Sequence, residues 1–326
     1  MRLHENKELF QDTILAAERP VEEGGLGIKS LFIEKDYWIT RALKLMAAND
    51  PDHRAVFKGG TSLSKVYKIG NRFSEDIDIA ITDAGSLSDS QKKKMITRIV
   101  HGMSDGLEEI HIYGQTRKSS KYRKEFFHYP RVIRSYGTEP VKPGQILIEV
   151  NTFANPYPFE IKPVSNFIYD FLLRQGAEDI IEEYELRPFL LPVLDKRRTL
   201  TEKMVSLVRY SLAQDYIKEM SAKIRHFYDM HFLINDTGVN KYVLSDDFLR
   251  DFTSLFAEDQ ERFEQPDGWQ SRSISDSPLF SLLDEIWVQL ESVYSTELPG
   301  LAYVQIPSPD AIKQSLNKIL ARIAVH

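Results

Sequence analysis

A chain of 326 residues exceeds the roughly 250 to 300 residues at which single cores stop growing, so two domains are expected. Hydrophobic residues make up 42% and aromatic residues 11%, which supplies a packed core and excludes a disordered chain, and the net charge of −6 excludes a uniformly basic surface. There is no cysteine, so disulfides, thiolate metal sites and cysteine nucleophiles are all excluded, and any metal must be held by oxygen or imidazole.

From the N-terminus, residues 6–20 and 30–48 read as helices, the second with Leu31, Ile33, Trp38, Ile39, Leu43 and Leu45 near helical spacing and Ser30 as its N-cap. Between them, Gly24-Gly25-Leu26-Gly27-Ile28-Lys29-Ser30 imitates a phosphate loop, but an isoleucine separates the last glycine from Lys-Ser and no strand precedes it. Ala55-Val56-Phe57 reads as a short buried strand ending at Gly59-Gly60, with a helix over 61–67 directly after the glycines. From Ser74 to Ile81 the period changes to two: Ile77, Ile79 and Ile81 take one face, Asp76, Asp78 and Ala80 the other.

A helix is expected over 88–110, then strands from 111 to 136 joined by the polar turn Arg117-Lys118-Ser119-Ser120, then a strand over Gln145–Val150 with the lone carboxylate of Glu149. Residues 91–142 carry 12 Lys/Arg against 5 Asp/Glu, which leaves −13 for the remainder. This basic segment has two readings, a surface that steers a polyanion and a solvated hairpin whose lysines discourage edge pairing. Beyond residue 165 helical periodicity dominates, broken by Pro188, Pro192, Pro266, Pro278 and Pro299, so an α-helical domain over 166–326 is expected to follow a domain of strands and helices over 1–165. No window approaches the roughly 18 apolar residues of a membrane span, and the protein is expected to be soluble and cytoplasmic.

The chemistry concentrates around two features. Gly59-Gly60 at the start of a helix allows close backbone approach and leaves amide donors for a phosphate, with Thr61 and Ser62 adding hydroxyls. Asp76 and Asp78, at i and i+2 of a strand, project to one side, and their mutual repulsion calls for a cation of the oxygen-seeking kind, such as Mg²⁺. Glu149 is either a third member of that cluster or a residue on an exposed sheet face. Lys203 borders an apolar helix stripe, which aims its ammonium at a cleft, and Arg225 and Asp229 stand at i and i+4, a spacing that allows them to pair on the helix surface.

Taken together, Gly59-Gly60-Thr61-Ser62, Arg72, Ser74, Asp76-Ile77-Asp78 and Glu149 resemble the nucleotidyltransferase superfamily of DNA polymerase beta, and most closely its AbiEii/AbiGii branch of abortive-infection toxins. Glu34-Lys35-Asp36-Tyr37, Arg198-Thr199 with Lys203, and Arg225-His226 with Tyr228-Asp229 are similar to further motifs of that branch, so the resemblance spans residues 30–235. It implies an α+β fold, a mixed sheet flanked by helices followed by a helical domain that contributes Lys203 and Asp229 to the cleft. Gly59, Gly60, Thr61, Ser62, Arg72 and Ser74 would bind nucleotide. Asp76, Asp78 and Glu149 would hold Mg²⁺, or Mn²⁺ in its place. The superfamily's third carboxylate is usually an aspartate, and Glu149 departs from that pattern. His226 reads equally as a structural histidine and as a phosphate contact.

The implied activity is transfer of a nucleotide from a nucleoside triphosphate to an acceptor hydroxyl, with a tRNA 3′ end favoured and an antitoxin as partner. Alternative acceptors are a small molecule and a protein hydroxyl. Readings of other classes are a phosphotransferase and a nucleotide-binding module without turnover that engages a partner protein.

Overall fold

The computed structural model describes residues 1–134 and 139–324. The chain divides into two compact units, one of Met1–Lys68 and Phe73–Leu194, the other of Ile69–Arg72 and the chain from Asp195 onward. Among the described residues no helix is long and apolar enough to cross a membrane.

In the first unit Asn6 accepts from the Leu9 amide and so caps α1 (Lys7–Glu18). The next helix, α2 (Ser30–Asn49), is capped at Lys29 and not at the expected Ser30. Ser30 is already helical, and its free first-turn N–H donates to the Glu18 carboxylate at 2.7 Å, so a side chain from the preceding helix does what a cap hydroxyl would have done. Strand β1 (Ala55–Lys58) leads into α3 (Gly59–Lys65), which begins two residues earlier than expected, on the glycines themselves. Strand β2 (Asp76–Ile81) returns beside it.

Ser88 and Gln91 form a capping box on α4 (Asp89–Met103). The expected extension of that helix to residue 110 is not found: Gly106, at φ +76°, releases the chain into β3 (Glu108–Ile110). Arg117 and Lys118, expected in a turn, form β4 (Arg117–Lys118), and the reversal falls on Ser119, whose hydroxyl accepts from the Lys121 and Tyr122 amides. Then come β5 (Tyr122–His128) and β6 (Gln145–Asn151). The strand expected to reach residue 136 stops at His128, and residues 135 and 136 lie outside the described residues. The unit is completed by β7 (Phe159–Val164), α5 (Phe167–Arg174), α6 (Glu178–Glu183) and β8 (Phe189–Leu194).

These strands form one mixed sheet in the order β3-β5-β6-β2-β1-β8-β7, with β4 also paired to β5. β2 is antiparallel to β1 and parallel to β6, and β1 is parallel to β8. The expected boundary at residue 165 therefore falls too early. β8 completes the sheet by pairing with β1 and β7, which holds α5 and α6 in the first unit and moves the division to Leu194. Pro192, expected to break a helix, lies inside this strand.

Ala55, Phe57, Ile77, Ile79, Ile146, Ile148 and Val150 share one sheet face and are fully buried, each worth on the order of 1.5 to 3 kcal/mol of burial for its larger members. Helix α2 packs on this sheet through β6 and β8, and α4 through β6. The apolar face anchors the strands, and the alternate residues are left for chemistry.

The second unit is helical: α7 (Lys196–Ser211), α8 (Tyr216–Ser221), α9 (Ile224–Asn235), α10 (Thr237–Val243), α11 (Asp246–Arg262), α12 (Leu283–Leu301) and α13 (Pro309–Ala324). α9 is its centre, packed against α7, α10, α12 and α13 with Phe227, Met230 and Leu233 fully buried. Pro299 does not end α12 but sits in its last turn. The short segment Ile69–Arg72 joins this unit because Asn71 accepts from the Tyr303 amide at 2.9 Å and Arg72 bridges to Ala302.

Candidate active site

β2 brings Asp76 and Asp78 onto one half-buried face while Ile77 and Ile79 fill the core behind them. The register extends that face across four strands. Lys58 of β1 is opposite Asp78, Asp78 is beside Glu149 of β6, and Glu149 is opposite Lys124 of β5, so two carboxylates stand in a row between two lysines. Asp76, two residues along, is in register with Leu147.

Glu149 is held at both oxygens. The Tyr122 hydroxyl donates to Oε2 at 2.7 Å and the Lys124 ammonium lies 2.8 Å from Oε1. Burial, the charge and hydrogen bond of Glu149, and the charge of Asp78 push the Tyr122 hydroxyl far above its usual range, so it remains a donor.

Gly59 is required for two reasons. Its φ of +79° suits only glycine, and a Cβ there would run into the Asp78 carboxylate. Gly60 follows it in the first turn of α3. Thr61 and Ser62 are buried: the Thr61 hydroxyl donates to Ser74 Oγ and the Ser62 hydroxyl to the Gly59 carbonyl, both at 2.9 Å. These bonds tie the glycine turn to the segment that leads into β2.

A buried ionic frame in α2 supports the same elements. Glu34 accepts from the Val132 amide at 2.6 Å, and Lys35 pairs with Glu75, the neighbour of Asp76, and donates to the Lys142 carbonyl. Asp36 pairs with Lys65 at the end of α3 at 2.6 Å and accepts from the Phe167 amide. Burial lowers the pKa of Lys35 and of Lys65, opposed in each case by the paired carboxylate. The frame thus holds both ends of the loop that presents the aspartates.

The remaining expected site residues meet in the helical unit. Asp229 is buried and faces inward, where Arg72 grips both its oxygens at 2.8 Å and Lys203 approaches at 2.9 Å. Arg225, which the helical spacing allows as a surface partner, is not what Asp229 pairs with, because Arg72 and, from α7, Lys203 meet it as two buried cations. Burial alone would raise the Asp229 pKa, but Arg72 and Lys203 outweigh it and hold the carboxyl well below the usual range. His226, one turn earlier, has its Nδ1 shut off from solvent without a hydrogen-bond partner, and burial with the charges of Lys203 and Lys223 lowers its pKa well below 6.5.

Tyr122, Lys124 and Lys58 went unassigned in the sequence. Tyr122 and Lys124 alternate at period two as Glu149 does, but only the antiparallel register of β5 and β6 joins them. Among the described residues no group of three or more His, Asp or Glu side chains stands ready to hold a metal. The oxygen donors of Asp76 and Asp78, with Glu149 beside Asp78, are of the kind that suits Mg²⁺, which is bound through one or two carboxylates completed by water and substrate phosphates.

A carboxylate pair on one strand, against a glycine turn that opens a helix, is an arrangement suited to a cation and a phosphate-bearing ligand. The sequence model of the family described as nucleotidyl transferase AbiEii toxin of type IV toxin–antitoxin systems matches residues 41–297. The chain belongs to this family and is a nucleotidyltransferase. Enzymes of this type generally use a divalent metal. The matched stretch includes every expected site residue, whereas Glu34-Lys35-Asp36-Tyr37 lies before it.

No curated protein matches the chain. Among solved structures, the nucleotidyltransferase toxin MenT4 of Mycobacterium tuberculosis aligns with 97% of this chain and 98% of its own at 15% identity and a TM-score of 0.42. JHP933 of Helicobacter pylori aligns with 81% of this chain and 94% of its own at 16% identity and a TM-score of 0.37. Likenesses this distant carry no argument about the reaction.

Proposed function

We propose that this nucleotidyltransferase moves a nucleoside monophosphate from a nucleoside triphosphate to an RNA hydroxyl, the 3′ end of tRNA being the favoured acceptor. The observation that carries the reading is the Asp76–Asp78 pair on the half-buried face of β2, with Gly59 against Asp78. Asp76 and Asp78 would hold Mg²⁺, or Mn²⁺ in its place, and the chemistry such an ion would supply is stabilisation of the negative charge that develops during phosphoryl displacement. The N–H groups of the Gly59-Gly60 turn would receive the outer phosphates, and Thr61, Ser62 and Ser74 keep that turn in place.

Glu149 acts through its charge, with one oxygen held by the Lys124 ammonium and the other by the Tyr122 hydroxyl. Arg72, Lys203 and Asp229 together carry one net positive charge within the helical unit, with Asp229 orienting the two cations. His226 stays neutral and is assigned a structural role.

The basic segment supports an RNA acceptor. Lys93, Lys94 and Arg98 are exposed on α4, and Tyr113, 95% exposed between β3 and β4, offers a ring on which a base can stack. The reaction would take place in the cytoplasm, with a cognate antitoxin as the partner that restrains it.

The test is incubation with Mg²⁺, each α-labelled nucleoside triphosphate and total tRNA, with Asp76→Ala as control. Label on tRNA from the intact protein alone is the expected result. Label on protein, or pyrophosphate release without labelled tRNA, would remove the RNA acceptor and leave the transferase.

A further inference from the structure

Asp78 and Glu149 stand beside each other on adjacent strands, an arrangement that like charges oppose. The same face supplies the compensation. Lys124 is in register with Glu149 and lies 2.8 Å from Oε1, and Tyr122, two residues along the same strand, donates to Oε2 at 2.7 Å. A surface lysine closing an incidental ion pair would leave the second oxygen to water. Here both oxygens are taken by neighbours on one strand, so the direction of the carboxylate is determined as well as its charge.

We propose that Tyr122 and Lys124 are positioning residues of the active site: Tyr122 directs Glu149, and Lys124 is its resident counter-cation, setting how strongly the Asp78–Glu149 row attracts a divalent ion. The proposal rests on the assignment of Asp76, Asp78 and Glu149 as the metal-facing carboxylates. Lys124 is opposed to the metal in its effect: its ammonium offsets one of the charges that would otherwise draw the ion. It therefore trades metal affinity for a carboxylate of fixed direction.

The experiment is calorimetric titration of the full chain with Mn²⁺ alone, without nucleotide, alongside steady-state kinetics and thermal melting to verify folding. Lys124→Met, which keeps the stem and removes the charge, is expected to bind Mn²⁺ about tenfold more tightly. Lys124→Arg keeps the charge and should bind close to the intact protein. Glu149→Gln should weaken binding. Tyr122→Phe should lower kcat about tenfold with the nucleotide KM unchanged.

Lys124→Met binding Mn²⁺ no more tightly than the intact protein, while Glu149→Gln weakens it, would overturn the counter-cation role and leave the metal assignment standing. Unchanged kcat in Tyr122→Phe would overturn the role of that hydroxyl. If Glu149→Gln binds Mn²⁺ as the intact protein does, the placement of Glu149 at the metal falls, and this proposal with it.

Discussion

Asp78 and Asp229 are both aspartates among cations, yet their surroundings differ in kind. Asp78 stands half-buried on a sheet face, beside a second carboxylate and against a glycine that yields space to it. Asp229 is buried and gripped by Arg72 and Lys203. The first arrangement sets two like charges side by side, which a bound cation would relieve; the second places one charge between two opposite ones within the fold. Loss of an aspartate should therefore cost chemistry in one unit and stability in the other.

The sharpest way to break that contrast is to remove the carboxylates of β2. Asp76→Ala or Asp78→Ala should lower transfer a thousandfold or more, about 4 kcal/mol of transition-state stabilisation, while the melting temperature holds or rises. Near-normal activity in either variant would sink the metal assignment. Asp229→Ala should do the reverse to the fold: Arg72 and Lys203 are left as uncompensated buried charges, at a cost of about 3 to 5 kcal/mol in chemical denaturation. An unchanged denaturation midpoint would show that the buried triad is not structural.

Gly59→Ala joins the two effects, since it strains the backbone by about 1 to 3 kcal/mol and pushes on Asp78, so both melting and activity should fall. A variant that melts normally but is inactive would place the whole effect on Asp78. The smallest effect is a pH dependence in the helical unit. The folded-state pKa of His226 is depressed, so the unfolded chain takes up a proton that the folded one refuses. The associated stability is complete above the unfolded value of 6.5 and is lost as pH falls below it, by about 1.4 kcal/mol per pH unit until the folded value is reached. Comparing His226→Gln with the intact protein between pH 7.5 and 5 should reveal a flatter profile in the variant, and identical profiles would refute it.

Much of the site was legible because it obeys local rules. The isoleucines of β2 alternate with its aspartates, and that period alone declares a strand with one acidic face. Glycine at 59 and 60 is a backbone requirement visible without a fold. The misreadings share a different origin. β8 is a short apolar run containing Pro192, and such a run reads as strand or helix until a distant partner selects one. For Asp229 the nearest partner that sequence displays is Arg225, at i, i+4 spacing, whereas Arg72 lies 157 positions away.

The amino-acid sequence by itself determined the acidic face of β2 and the glycine turn before α3, since charge at alternate positions of an apolar strand and glycine before a helix are properties of neighbouring residues. Only the tertiary structure decided what those residues face. Strand register brings Tyr122 and Lys124 to Glu149, and helix packing turns Asp229 inward to Arg72 and Lys203. The physical reason is range: backbone preference acts over a few residues, while the partner of a charge is chosen by what the folded chain brings within about 3 Å of it.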